Sequence, residues 1–160
     1  MSQLSNFTFD EITIGQRAEY SKAVTDNDIQ MFAAVSGDVN PLHLDPEFAA
    51  GTRFGERIAH GMLTASFVSA ALAMKLPGPG CIFMEQSLKF RLPVKIGDVI
   101  TVRLEVTDKQ ERRKTVSLDC KAYNQDDKLV LTGSSLVIAP EEKLVLSVPE
   151  KLRVEVPGHL

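Results

Sequence analysis

The sequence predicts an α+β domain, an antiparallel sheet of five to six strands folded around one long helix. Three observations carry this reading. Small and apolar residues recur at helical spacing from Gly61 to about Leu76. After Gly80 the apolar period changes to two, and it recurs in successive runs up to Ile138. The turns between those runs are short, which makes the joined strands antiparallel neighbours.

The elements follow in chain order. Ile12, Ile14, Ala18, Tyr20 and Val24 are spread among polar residues, which suggests one or two short strands around the turn at Gly15 and Gln16. Thr25 is a good helix N-cap, with the acidic Asp28 in the first turn. Ile29, Phe32 and Ala33 then share one face, and Gly37 ends the helix. A dense polar loop runs from Gly37 to His43. Asp45 and Pro46 open a second, short helix as N-cap and first helical residue. On the long helix Leu63, Phe67, Ala70, Ala71 and Met74 form one stripe, and Met62, Ser66, Ser69 and Ala73 form its neighbour. Both stripes are apolar or small, so the helix is expected to be covered on most sides, with Met74, Phe67 and Phe32 in the core. The run Pro77-Gly78-Pro79-Gly80 stops it. Residues 81–92 read as a long strand closed by Pro93, and three alternating strands follow, the last from Leu129 to Ile138. The assignment is a single domain over residues 1–140 with a peripheral tail over 141–160.

Composition narrows the class. The chain has 160 residues, with 18 Lys and Arg against 21 Asp and Glu, a net charge of −3. A chain of this length buries roughly 68–70% of its unfolded surface without disulfides. The sequence pI near 5.6 lacks the basic footprint of a nucleic-acid binder. The longest charge-free run, Ile58 to Met74, is too short and too polar for a bilayer span, so neither nucleic acid nor membrane is an expected partner. Cys81 and Cys120 lack metal-ligand spacing and read as buried thiols in a reducing compartment. No basic segment followed by an apolar one opens the chain, and a cytoplasmic location is expected.

The loop at residues 37–45 is the polar cluster best suited to chemistry. Asp38 and His43 lie five residues apart, and Asn40-Pro41 between them restricts the backbone. A carboxylate and an imidazole held towards one point could grip one water and move its protons near neutrality. At the start of the long helix, the first amides are unpaired and carry the positive end of the helix dipole. Gly61 there allows close approach of a ligand and suits a developing oxyanion. Together the pieces fit water addition to, or hydrolysis of, an activated carbonyl compound. Plainer roles stand beside these. Asp38 could serve loop amides as an Asx turn, His43 could be a hydrogen-bonded core histidine, and Asp45 could be only an N-cap. Asp38, His43 and Asp45 are also conceivable zinc ligands, although no further His or Cys lies at ligand spacing, and no metal is assigned. His60 reads as a helix-capping or packing residue, and Ser66 as a small packing residue. Lys89, Arg91 and Lys95 read as solvated strand ends that could meet phosphates.

Three stretches carry a resemblance to a known family: Phe32 to Asp45 (FAAVSGDVNPLHLD), Phe54 to Leu63 (FGERIAHGML) and Gln86 to Asp98 (QSLKFRLPVKIGD). In this order, across most of residues 10–140, the chain resembles the MaoC-like dehydratase family, and most of all its short (R)-specific enoyl-CoA hydratases, which supply polyhydroxyalkanoate monomers from fatty-acid oxidation. The resemblance implies a hot-dog fold, a homodimer, and a trans-2-enoyl thioester of coenzyme A hydrated reversibly to the (R)-3-hydroxyacyl thioester. It places the catalytic acid and histidine on Asp38 and His43, the oxyanion-hole amide on Gly61, and a supporting serine on Ser69. No cofactor is implied, because coenzyme A is part of the substrate. A thioesterase on the same scaffold and a non-catalytic acyl-CoA-binding protein are the alternatives, since fold alone does not separate them.

Overall fold

The computed structural model describes residues 1–150, 152 and 154. The chain opens with a short strand, β1 (Ser2–Ser5), then turns through residues 9–15 into β2 (Arg17–Ala23). One strand thus forms where one or two were expected, because Gly15, at φ 88°, turns the chain so that its amide meets the Val106 carbonyl at 2.8 Å. Helix α1 (Asp26–Ser36) begins with a reciprocal capping box. The Thr25 hydroxyl accepts from the Asp28 amide, and the Asp28 carboxylate accepts from the Thr25 amide. Ile29 and Ala33 are buried, and Gly37 ends the helix at φ 79°.

The loop that follows contains a single helical turn, α2 (Pro41–Leu44), and α3 (Pro46–Ala50) comes directly after it. The sequence signal for α2 was Asn40-Pro41: the Asn40 side chain accepts from the Leu42 amide, and Pro41 sits at the first helical position. Asp45 caps α3, its carboxylate accepting from the Glu47 and Phe48 amides.

Helix α4 (Gly61–Met74) is the central element and packs on β2 and on β4 (Val99–Gln110). Between them runs β3 (Ile82–Phe90); after β4 come a 3-10 turn at Glu111–Arg113, β5 (Thr115–Tyr123) and β6 (Leu129–Ile138). These make an antiparallel five-stranded sheet in the order β2-β4-β5-β6-β3. The inward residues of β4, β5 and β6, among them Ile100, Val102, Leu104, Leu118, Leu131 and Val137, enclose Leu63, Phe67, Val68, Ala71 and Leu72 of α4. This is the hot-dog arrangement that the resemblance implied.

Two details differ from the sequence reading. The stripe of Met62, Ser66, Ser69 and Ala73 is exposed, and Met74 with it, whereas the sequence predicts a helix covered on most sides with Met74 in the core. The sheet curls around one side of α4 only, so small residues on the other side remain open. The stretch beyond residue 140, expected as a peripheral tail, carries β7 (Val145–Val148), which pairs antiparallel with β1 and so clasps the first residues to the segment after the sheet. Asn6, buried beneath this clasp, donates through its side chain to the Pro79 and Glu142 carbonyls.

Candidate active site

Local hydrogen bonds set the shape of the loop after α1. The Ser36 hydroxyl donates to the Phe32 carbonyl at 2.6 Å and accepts from the Asp38 amide at 3.1 Å. Asp38 Oδ1 then accepts from the Asn40 amide at 3.2 Å, and Asn40 Oδ1 from the Leu42 amide at 3.1 Å. Asp38 therefore does form an Asx turn, but with one oxygen. The other, Oδ2, faces His43 Nε2 at 4.0 Å.

His43 rides on α2 and is buried. Its Nδ1 lies 2.8 Å from the Ile58 carbonyl. A carbonyl only accepts, so Nδ1 carries the hydrogen, and Nε2 of the neutral ring is left as a bare acceptor turned towards Asp38. A water about 2.8 Å from both Nε2 and Oδ2 would span them at about 90°, close to the directions of its own hydrogens. The half-exposed Asp38 side chain leaves that position open to solvent, while the histidine is fixed from behind.

Arg57 holds the other side of the turn. Its Nε donates to the His43 carbonyl at 2.7 Å, and its terminal nitrogen meets Asp26 Oδ1 at 2.6 Å. One guanidinium thus links the first turn of α1 to the last residues of α2. The sequence reading assigned Arg57 no role; the only signal was its place in the FGERIAHGML stretch.

His60 sits directly before α4 and makes no side-chain cap bond. Its Nε2 lies 3.0 Å from the Asp38 carbonyl, and its ring stacks on that of His43 at 3.9 Å and 30°. Burial holds the His60 pKa below the ordinary imidazole range. The bond to the Asp38 carbonyl and the Asp38 charge oppose this, while the neighbouring His43 adds to it.

Gly61 follows, at the tip of α4. The Gly61 and Met62 amides donate to no acceptor among the described residues, as first-turn amides of a helix do unless a ligand meets them. A β-carbon on Gly61 would stand 3.1–3.3 Å from the Phe90 ring, so the glycine lets that ring close over the helix tip. Gly61, Thr64, Phe54 and Phe90 line a cleft of about 230 Å³, with Arg53 and Arg91 at its edge. Arg91 is thus placed where a charged group could be met, whereas Lys95 is engaged by Glu56.

Of the four residues assigned from the sequence, the structure brings Asp38 and His43 together and sets Gly61 beside them through His60. Ser69 is not among them. It lies on the exposed stripe, nine residues after His60, or roughly 13 Å along the helix axis, and makes no hydrogen bond to Asp38 or His43. Asp45 is occupied in capping α3 and does not join Asp38 and His43 in a grouping of ligand atoms. His60 takes its place, since Asp38, His43 and His60 each offer a ligand atom within 4.8 Å of the others. The two imidazoles lie against one another at 3.9 Å with their planes tilted by 30°, and one nitrogen of each is engaged by a backbone carbonyl, that of Ile58 for His43 and that of Asp38 for His60. Both cysteines are free, and burial raises the Cys120 thiol to about 11.

Residues 10–125 match the family model described as MaoC like domain. An (R)-specific enoyl-CoA hydratase of Aeromonas caviae is 44% identical over 129 residues, covering 81% of this chain and 96% of that protein. A 3-hydroxybutyryl-CoA dehydratase of Methylorubrum extorquens is 39% identical over 143 residues, covering 89% and 90%. Among solved structures, the unliganded R-hydratase PhaJ1 of Pseudomonas aeruginosa superposes with a TM-score of 0.91 at 46% identity, covering 97% of this chain and 99% of that one.

Proposed function

The chain belongs to the MaoC-like domain family, and we propose that its Asp38–His43 pair adds water across the double bond of an enoyl thioester. The protein is an (R)-specific enoyl-CoA hydratase, a hydro-lyase that interconverts trans-2-enoyl-CoA and (R)-3-hydroxyacyl-CoA. The observation that carries the residue assignment is the 4.0 Å gap between Asp38 Oδ2 and the bare His43 Nε2, next to unpaired amides at the tip of α4.

In this reading the thioester carbonyl lies against the Gly61 amide, which stabilises the enolate-like charge as water attacks C3. Asp38 Oδ2 takes one hydrogen of the water as general base. The second stays on the new hydroxyl, directed at His43 Nε2. Asp38 then returns its proton to C2 from the same face. One oxygen and two hydrogens are added, and the pair ends as it began, so the step needs no metal or redox group. Coenzyme A is a carrier on the substrate, and Arg53 and Arg91 at the cleft edge suit its phosphates.

A homodimer completes the proposal. β3 is an edge strand of the sheet, with Ile82, Phe83, Met84 and Phe90 exposed, and the stripe of α4 bearing Met62 and Ser69 is uncovered. A second copy of the chain would cover both. Ser69 lies roughly 13 Å along α4 from His60, so its supporting role is exerted on the dyad of the second copy. Two free thiols suit a reducing, cytoplasmic setting. Among the described residues no helix is long and apolar enough to cross a membrane. The A. caviae R-hydratase of known structure is described as involved in polyhydroxyalkanoate biosynthesis, and supply of such monomers is the role proposed here.

Crotonyl-CoA tests the reading. Loss of enoyl absorbance without free thiol, giving the (R)-alcohol, is expected. Release of thiol would make the protein a thioesterase, and binding without turnover would make it an acyl-CoA carrier.

A further inference from the structure

We infer that His60 is a positioning residue for hydration, joining the base, its imidazole partner and the oxyanion-binding helix tip into one rigid unit. The inference rests on the hydratase reading of the same site. Four features support it. His60 Nε2 donates to the carbonyl of Asp38 at 3.0 Å, which fixes the backbone of the residue that takes the proton. Its ring lies on the face of His43 at 3.9 Å and so limits how that imidazole can tilt. Its own backbone leads directly into Gly61, so the amide that meets the thioester oxygen moves with it. Phe32 packs against the ring at 4.9 Å and holds it from α1.

The ring's hydrogen-bonding state follows from these partners. A carbonyl only accepts, so the hydrogen of His60 is on Nε2. That leaves Nδ1 as a buried lone pair, and among the described residues it has no partner. A fully buried polar atom without a partner is destabilising, on general grounds. A phenylalanine would fill the same space without that penalty. What phenylalanine lacks is the Nε2–H bond to Asp38, and the histidine is explained by that bond. His60 touches neither water nor thioester in this arrangement, and acts only through Asp38, His43 and Gly61.

The test compares His60→Phe and His60→Gln with the parent protein on crotonyl-CoA. Phenylalanine keeps the stack and loses the donor; glutamine places an amide N–H near the position of Nε2 and loses the ring. We expect kcat to fall at least tenfold in His60→Phe with KM within about threefold of the parent, and His60→Gln to recover a substantial part of that loss. Parent-like kcat in His60→Phe, or equal losses in both variants that track their melting temperatures, would overturn the inference in favour of simple packing. Should His60→Phe not fold, nitrogen chemical shifts of the imidazoles in the parent protein decide. A neutral ring protonated on Nε2 is expected, and protonation on Nδ1 overturns the inference. Absence of hydration by the parent protein, or full activity in Asp38→Asn, would instead defeat the hydratase reading, and the nitrogen shifts would still judge the contact.

Discussion

Replacing Asp38 by asparagine removes the base while leaving its surroundings nearly intact. The Oδ1 of the new side chain can still accept from the Asn40 amide, which the aspartate does at 3.2 Å, so the Asx turn persists. The other branch becomes an NH₂ group opposite His43 Nε2, where Oδ2 now stands at 4.0 Å. That nitrogen cannot take a proton from water, and its hydrogens compete with the water for the same lone pair. Positioned acid–base chemistry contributes about 10²–10⁴ in rate, or about 2.7–5.4 kcal/mol of barrier. Since the side chain is half-exposed, stability should change by no more than about 0.5 kcal/mol. Steady-state kinetics on crotonyl-CoA, with urea unfolding of the same preparations, separate the two effects. A kcat at least a hundredfold lower with an unchanged unfolding midpoint is expected. A kcat within threefold of the parent would refute Asp38 as base. His43→Ala is a less clean probe, because it empties a buried site and strands the Ile58 carbonyl.

Further predictions follow from the supports of the site and the sheet. A β-carbon on Gly133 would stand 1.9 Å from the Ser87 carbonyl oxygen, in the pairing of β3 with β6. Gly133→Ala should therefore cost about 3 kcal/mol, the upper end for overpacking, and lower Tm by about 6–12 °C; a shift under 2 °C by calorimetry would contradict this. Arg57→Met keeps the stem but loses the bonds to the His43 carbonyl and Asp26, which should cost about 1–2 kcal/mol and lower kcat; unchanged activity and midpoint would show that the α2 turn holds itself. His60 takes up a proton less readily folded than unfolded. Its contribution to stability is therefore complete above the ordinary imidazole pKa of about 6.5 and declines as pH falls below it, with a slope of at most about 1.4 kcal/mol per unit. Asp38 and His43, the titratable groups facing it, act in opposite directions on that slope. Urea titrations at pH 7.5 and 5.5 should show a smaller pH effect in His60→Phe than in the parent, and equal effects would contradict the assignment.

Much of this architecture was legible because it is written in local chemistry. The capping box of α1, Gly37 at its end, Asp45-Pro46 at the start of α3 and the alternation in β4 and β5 all act within a few residues. The dyad was legible for the same reason, since Asp38 and His43 share one short loop. What escaped depends on contacts between distant segments. His60 reaches Asp38 across 22 positions and Arg57 reaches Asp26 across 31, and no periodicity announces either bond. The open stripe of α4 reads as covered in the sequence because Met62, Ser66, Ser69 and Ala73 are as small or apolar as the residues facing the sheet. Residue type cannot separate a side packed against the same chain from one awaiting another. The β1–β7 clasp joins the two ends of the domain, where strands of four residues give no recognisable pattern.

The central claim is that one loop delivers water to C3 and a proton to C2 from a single side of the double bond. Hydration of crotonyl-CoA in deuterium oxide, with the product's configuration read by proton NMR, tests it most directly. The account predicts the (R)-alcohol carrying one deuterium at C2 on the same face as the new oxygen. Deuterium on the opposite face would require a proton donor across the substrate from Asp38 and His43, and would contradict it.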